Sequence, residues 1–355
     1  DNRGKLLLCN DAVTSGLEMD ENDLLLTEIG EYVKGFNFSR WLESKNPTPH
    51  STKVKFIQQD FVADILPITV DDSDDKTVLA GAVVMLKSEV HLGQQITVFQ
   101  QHDTGSFDKL ITQSPTMQQT IDEAKRIADL DAPILIFGET GTGKEMLAKA
   151  CHQSSRRADK PFLALNCGAI PDNVAETELF GYAAGTFNQT QAKVGLIEQA
   201  AGGTLLLDEI ADMSTQLQAK LLRVLEDGEF RRIGDVNPVG VDVRFICTTC
   251  QDLGQLVEEG KFRKELYYRL NVLGLVVPSL RERRSDIVPL SEAFILQHSA
   301  KLGRRPAKLS KSCVDFLQHY PWPGNVRQLQ NALFRALSLL DGNEITKEDI
   351  QLPSC

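Results

Sequence analysis

Residues 138–145 read GETGTGKE. Gly138, Gly143 and Lys144 satisfy the spacing G-x-x-x-x-G-K, in which glycines let the backbone wrap so that its N–H groups point at phosphate oxygens. The apolar run PILIFG (133–138) precedes the loop and EMLAKACHQ (145–153) follows it, so the loop joins a strand to the start of a helix. The positive end of that helix and the Lys144 ammonium then face one space. Gly138, Glu139, Thr140, Gly141, Thr142, Gly143, Lys144 and Glu145 together predict a cradle for ATP. A chance glycine-rich turn would need neither flank. The serine or threonine that usually follows the lysine is here Glu145, so a hydroxyl for Mg²⁺ has to come from another residue or be replaced by water.

Downstream, TLLLDEI (204–210) is apolar on both faces and ends in two carboxylates, the pattern of a central parallel strand. Behind a phosphate loop, Asp208 is placed to hold Mg²⁺ through water and Glu209 to polarise an attacking water. Strands and helices alternate around these motifs over residues 107–280, which predicts a parallel sheet covered on both faces. Ser114 and Pro115 suit the N-cap and first position of a helix whose apolar face is Met117, Ile121, Ala124, Ile127 and Ala128. Beyond RERRSD (281–286) only helical spacing remains, so residues 281–355 read as a small helical subdomain.

Residues 1–87 read differently. KLLLCNDAV predicts a strand running into a helix, and GFNFSRWLES (35–44) a helix anchored by Phe36, Phe38, Trp41 and Leu42. The runs KVKFIQQ, FVADILPITV and TVLAGAVVMLKS predict an antiparallel sheet, with DDSDDK (71–76) as the turn of a hairpin. Leu92, Ile96 and Phe99 have helical spacing, which predicts a linker helix over residues 88–106, either self-pairing or simply amphipathic.

The composition bounds the rest. The 355 residues exceed one ordinary domain, and 42% hydrophobic with 25% charged residues supports sizeable cores and excludes a disordered chain. No apolar run is long enough to span a membrane. The formal net charge of -11 excludes a chain that traps nucleic acid by bulk charge. Seven cysteines (Cys9, Cys151, Cys167, Cys247, Cys250, Cys313 and Cys355) have no disulfide-framework spacing, which predicts reduced thiols and a cytoplasmic location. Cys247-Thr-Thr-Cys250 lies in a strand-like run without a second ligand pair, so neither metal nor redox chemistry is expected there. The opening DNRGK is neither a start methionine nor a signal peptide, which suggests part of a longer chain.

The phosphate loop, LLLDEI, FRKELYYRLNV (262–272) and WPGNVRQL (322–329), in that order, resemble the AAA+ domain of bacterial enhancer-binding transcriptional regulators, over roughly residues 107–350. The resemblance implies a P-loop α/β core with a helical lid, assembling into a ring. It also implies roles. Asn166, in FLALNC, corresponds to the switch residue that holds the catalytic glutamate, here Glu209. Arg263 and Arg269 correspond to arginine fingers supplied in trans to a neighbour's nucleotide. Arg327 corresponds to the lid arginine that senses the γ-phosphate, and Thr249 to the first sensor position. The asparagine usual beside that threonine is here Cys250, a departure that weakens sensor coupling.

In ETELFGYAAGTFNQTQAKVGLIEQ (176–199) the family's sigma-54 contact loop, G-A-F-T-G-A, aligns with Gly185-Thr186-Phe187-Asn188-Gln189-Thr190. The phenylalanine is kept, the following threonine and glycine are not, and the segment is one residue short. The departure implies a protein that does not remodel sigma-54 polymerase; the alternative is an ATP-hydrolysing sigma-54-dependent activator with a drifted loop. VKGFNFSRWLES and VLAGAVVMLKS resemble the PAS module of family members that respond to aromatic amino acids. The expected fold is therefore a PAS-like α+β sensor domain, the AAA+ α/β core and the lid. The resemblance implies a repressor and activator of genes for aromatic amino acid biosynthesis and transport. It would bind ATP as an assembly co-ligand with weak hydrolysis, and tyrosine, or phenylalanine or tryptophan, as effector. It would pass from homodimer to homohexamer, bind DNA through a helix-turn-helix outside these residues, and act on sigma-70 polymerase. Glu178 is the expected effector contact, an ordinary helix carboxylate being the other reading. A purely binding, non-hydrolysing module is the remaining class, against which the retained Asn166, Asp208, Glu209, Arg263 and Arg269 speak.

Overall fold

The computed structural model describes residues 5, 27–36, 38, 41, 50–56, 59–71, 77–88, 96–99, 106–186, 192–340 and 342–352. The chain divides into two compact units, Asp1–Gln95 and Ile96–Cys355. In the first, β1 (Val33–Lys34), β2 (His50–Phe56), β3 (Gln59–Asp71) and β4 (Thr77–Ser88) form an antiparallel sheet in that order. β3 and β4 pair out to Asp71 opposite Thr77, so the acidic stretch between them joins a long hairpin as its sequence predicts. Val33, Phe38, Val54, Phe56, Ala63 and Ile65 are buried, and Phe36 and Trp41 pack against them. Phe36 meets Phe38 edge-on at 4.9 Å. The expected strand and helix before residue 27, and Leu42, lie outside the described residues.

The second unit opens with β5 (Ile96–Phe99), which pairs antiparallel with β7 (Phe162–Asn166). Ile96–Phe99 is thus a strand within the linker helix expected over 88–106, of which residues 89–95 and 100–105 lie outside the described residues. One turn of apolar spacing does not fix a helix, and the edge of β7 offers a row of backbone donors and acceptors that a strand satisfies. The helix Pro115–Ile127 follows, with Met117, Ile121 and Ala124 buried on the predicted face. Its N-cap Ser114 makes no side-chain cap; Asp286 instead accepts from the N–H groups of Gln113 (2.6 Å) and Ser114 (2.8 Å).

β6 (Ile134–Phe137), β7, β10 (Thr204–Asp208), β13 (Arg244–Thr249) and β14 (Leu273–Val276) are mutually parallel. The small hairpin partners β8 (Gly181–Tyr182) with β9 (Lys193–Val194), and β11 (Glu229–Arg231) with β12 (Pro238–Gly240), lie outside this sheet. The sheet order is β14-β6-β13-β10-β7-β5. Central β10 and β13 are buried almost throughout, as their uninterrupted apolar runs require. The C-terminal ends of β6, β7, β10 and β13 therefore share one edge, where parallel α/β sheets place their ligands.

Residues after Leu280 form the helical subdomain. The helices Ile287–Lys301, Lys311–His319 and Asn325–Leu339 enclose the fully buried Trp322, whose indole N–H donates to Leu317 O at 2.7 Å. Among the described residues, Cys151, Cys167, Cys247, Cys250 and Cys313 are free thiols. Burial pushes the Cys247 thiol up to about 12. No helix among the described residues is long and apolar enough to cross a membrane.

His152 lies in the last turn of the helix Lys144–Gln153, 2.9 Å from the Thr204 hydroxyl and packed on Phe162. Burial, and secondarily the charge of Arg244, lowers its pKa from 6.5 to about 4. The unfolded chain thus takes up a proton as pH falls below 6.5 while the fold does not, so His152's contribution is full above 6.5 and is lost on the way down to 4. The loss between pH 7 and pH 5 should be about 2 kcal/mol. Urea denaturation at the two pH values should show this slope in the wild type and a flattened one in His152→Phe.

Candidate functional site

Gly141 (φ 79°) and Gly143 (φ 100°) hold left-handed conformations that let the 138–144 loop wrap the helix start. A Cβ at Gly141 would lie 2.5 Å from Gly324 O, so the loop also needs glycine there to let the lid approach. Lys144 begins the helix and is buried, its ammonium donating to Gly138 O (2.8 Å), Glu139 O (3.4 Å) and Glu209 Oε1 (3.0 Å). Glu145 points outward into an ion pair with Lys149 at 3.1 Å.

Opposite the loop, the parallel register sets Asn166 of β7 directly beside Asp208 of β10. Asn166 Nδ2 donates to Asp208 Oδ2 at 3.2 Å. Asn166 is expected to hold Glu209; in this structure register puts its amide beside the aspartate. On the other side of Asp208, the Thr248 hydroxyl donates a short hydrogen bond to Oδ1 and accepts from the Glu209 N–H at 3.1 Å. Glu209 sits at φ 53°, a left-handed conformation that costs a glutamate about 1–3 kcal/mol. Its carboxylate is held from two sides, by Lys144 and by the Cys250 N–H at 2.9 Å.

Thr249, the expected sensor, does not join this cluster. Its hydroxyl accepts from Gln251 N and donates to Gln251 O, each at 3.0 Å, closing a local turn. Side chains alternate along β13, so the neighbouring Thr248 takes the face that Asp208 shares. Sequence reading missed Thr248, because a period of two separates the faces of a strand without saying which one Asp208 shares. Cys250 lies between Glu209 and Thr140, and burial, then its hydrogen bond to Glu209, raises its thiol above the usual range. Asp208 is raised too, first by burial and then by Glu209 and Glu145, while the Thr248 hydrogen bond opposes the shift.

The lid grips the loop residue by residue. Glu139 binds Arg281 Nη1 at 2.8 Å and Asn325 Nδ2 at 3.1 Å, which, with Arg281 the larger cause, lowers its pKa to about 2. Asn325 also donates to Thr140 O (3.1 Å) and accepts from Leu280 N (2.8 Å), at φ 51° and fully buried. Val326 N donates to Gly141 O at 2.9 Å, and the buried Arg283 to Thr142 O at 2.6 Å. Arg327 follows, its backbone N 3.3 Å from Gly141 O and its side chain exposed beside the loop. Arg281, Arg283 and Asn325 went unassigned in the sequence because their partners lie far away in the chain.

Arg263 and Arg269 are exposed and lie apart from this cluster, on the helix Lys264–Leu270 and its N-cap. They donate to Thr215 O (3.2 Å) and Leu225 O (2.9 Å) of the helix Thr215–Asp227. Glu178 pairs with Lys193. Phe187, Asn188, Gln189 and Thr190 lie outside the described residues.

The donor set fits a nucleoside triphosphate: an ammonium at a helix N-terminus, a glycine-wrapped loop and a carboxylate pair at a strand end. Among the described residues, no cluster of three or more His, Cys, Asp or Glu could hold a metal by itself. A divalent cation here would complete its shell with phosphate oxygens and water.

Comparison with known proteins agrees with this geometry. Residues 110–276 match the family model described as the sigma-54 interaction domain, and residues 281–353 the AAA+ ATPase lid domain. The chain is 47% identical over 355 residues to the HTH-type transcriptional regulatory protein TyrR of Enterobacter agglomerans, covering 99% of this chain and 68% of that protein. It is 44% identical over 353 residues to TyrR of Salmonella typhimurium, with the same coverage of 99% and 68%. The structure of NtrX from Brucella abortus in complex with ATP superposes with a TM-score of 0.65 at 38% identity, over 70% of this chain and 56% of that one.

Truncating Asn325 to Ala removes three hydrogen bonds, leaves the buried Leu280 N–H unpartnered and puts a β-carbon residue without a local acceptor at positive φ. The expected cost is about 2–4 kcal/mol. Denaturant unfolding should report it, together with faster amide exchange in residues 139–142; unchanged exchange there would contradict the grip.

Proposed function

The chain belongs to the TyrR family of HTH-type transcriptional regulatory proteins, built on an AAA+ core and lid, and we propose that it is a ligand-responsive repressor and activator of aromatic amino acid biosynthesis and transport genes. ATP and tyrosine, or phenylalanine or tryptophan, are its ligands, and together they shift a homodimer to a homohexamer. DNA is bound through a helix-turn-helix outside these residues, at sigma-70 promoters, in the cytoplasm. The first unit serves as a PAS-like sensor and dimerisation domain; its four-stranded antiparallel sheet supports that reading.

The observation that carries the proposal is the Lys144–Glu209 pair inside a loop gripped by the lid. A bound Mg²⁺–triphosphate would supply the anion and the phosphoryl group for hydrolysis. Lys144 would pair with its phosphate oxygens in place of Glu209, leaving the glutamate to orient a water, and Asp208 would hold the cation through water. Glu139, Asn325 and Arg283 transmit the loop's arrangement to the lid, where Arg327 reaches the same space. Arg263 and Arg269, whose exposure supports the reading, would serve a neighbour's nucleotide, which would make assembly and nucleotide occupancy mutually dependent. Asn166 keeps Asp208 in place. Hydrolysis is weak, because Cys250 lacks the amide of the usual sensor asparagine. Glu178, half-buried in its pair with Lys193 at the base of the altered segment, is the proposed effector contact.

A second reading, an ATP-driven activator of sigma-54 polymerase, is favoured by the description of the model matching residues 110–276. The lost threonine and glycine of the contact loop oppose it. Lys144→Ala should weaken binding of a fluorescent ATP analogue by at least about 10-fold, the loss of a charge-assisted contact, with the far-ultraviolet circular dichroism unchanged. It should also abolish ATP-induced assembly. Hexamers formed by Lys144→Ala with ATP would sink the mechanism.

A further inference from the structure

Two features of the carboxylate pair need an explanation that the expected site residues do not give. Glu209, just past the end of β10, is held at φ 53°, in a region a glutamate avoids, and its N–H donates to a side chain. Asp208 is flanked on both sides by polar groups, Asn166 from β7 and Thr248 from β13. In the parallel register Leu207 pairs with Leu165 and Cys247, so Asn166, Asp208 and Thr248 fall one step later on each strand and point to the same face. Thr248 is fully buried, and its next neighbour across the sheet, on β6, is the buried apolar Ile136. Its hydroxyl has one donor and its lone pairs, and both kinds of group are used: the hydrogen goes to Asp208 Oδ1 and a lone pair takes the Glu209 N–H.

We propose that Thr248 is the positioning residue of this site, one hydroxyl fixing the side chain of the cation-holding Asp208 and the backbone of the water-orienting Glu209. The inference rests on the reading of the site as an ATP-hydrolysing one. It places at Thr248 a role beside the sensor position that the resemblance implies for Thr249. The division of labour follows from alternation: Thr249 closes a turn onto Gln251, while Thr248 faces the carboxylates. It also accounts for how the site works with a cysteine at position 250. The Cys250 backbone N–H serves the Glu209 carboxylate, and the hydroxyl two residues earlier serves its backbone.

A valine at 248 keeps the shape of threonine and removes both hydrogen bonds. Thr248→Val should lower kcat for ATP hydrolysis by about 10- to 100-fold, the usual cost of losing an outer partner of a cation site. It should also shrink the gain in affinity for a fluorescent ATP analogue on adding Mg²⁺, while affinity in EDTA stays within about 2-fold. Thr248→Ser, which restores the hydroxyl, should recover both. A merely structural role would lower the Mg²⁺-free affinity along with the rate, and serine would not rescue selectively. Wild-type kcat and Mg²⁺ gain in Thr248→Val would overturn the proposal. Thr248→Cys, a weaker donor in similar volume, is the second variant should the valine lose the fold; a wild-type rate in it overturns the proposal too. A wild-type chain that neither binds nor hydrolyses ATP overturns the nucleotide reading, and this inference with it, so the two failures are told apart by the wild-type control.

Discussion

Lys144 and Glu209 meet at 3.0 Å with side chains only 6% and 18% exposed. Neither charge could sit there alone without a penalty of several kcal/mol, so each dictates the other's position. The lysine is fixed by the glycine-wrapped loop and the glutamate by Thr248 and Cys250. The pair therefore ties the N-terminus of one helix to the C-terminal ends of β10 and β13. An anion that competed for the ammonium would release a carboxylate at the same moment.

The lid is the second consequence. Four successive loop residues, Glu139 to Thr142, each contact the lid or the segment leading into it, through Arg281, Asn325, Val326 and Arg283. Asp286 of that segment also holds the start of the helix Pro115–Ile127. A change in loop conformation thus has rigid polar routes to the helical subdomain rather than a loose hinge.

Much of this was legible in the sequence where the signal was local. The phosphate loop, the buried strand before Asp208 and the apolar face Met117, Ile121 and Ala124 are each specified by neighbouring residues. What was not legible depends on register or on distant partners. A pair of adjacent threonines gives no sign of which one faces Asp208, and a shift of one residue reverses the face. Asn166 binds Asp208 rather than Glu209 for the same reason. Arg281 is 142 residues from Glu139, and no spacing rule connects them. Ile96 and Phe99 mimicked a helical turn because four residues are too few to separate the two periods, and the open edge of β7 decided in favour of a strand. The altered segment at 187–190 lies outside the described residues, so its reading rests on sequence alone.

The central claim is that nucleotide and aromatic amino acid act together on assembly through this core. Sedimentation velocity of the chain alone, with a slowly hydrolysed ATP analogue, with tyrosine and with both tests it most directly. The account predicts a shift from dimer to hexamer only when both ligands are present. Assembly that ignores tyrosine in every combination would contradict it.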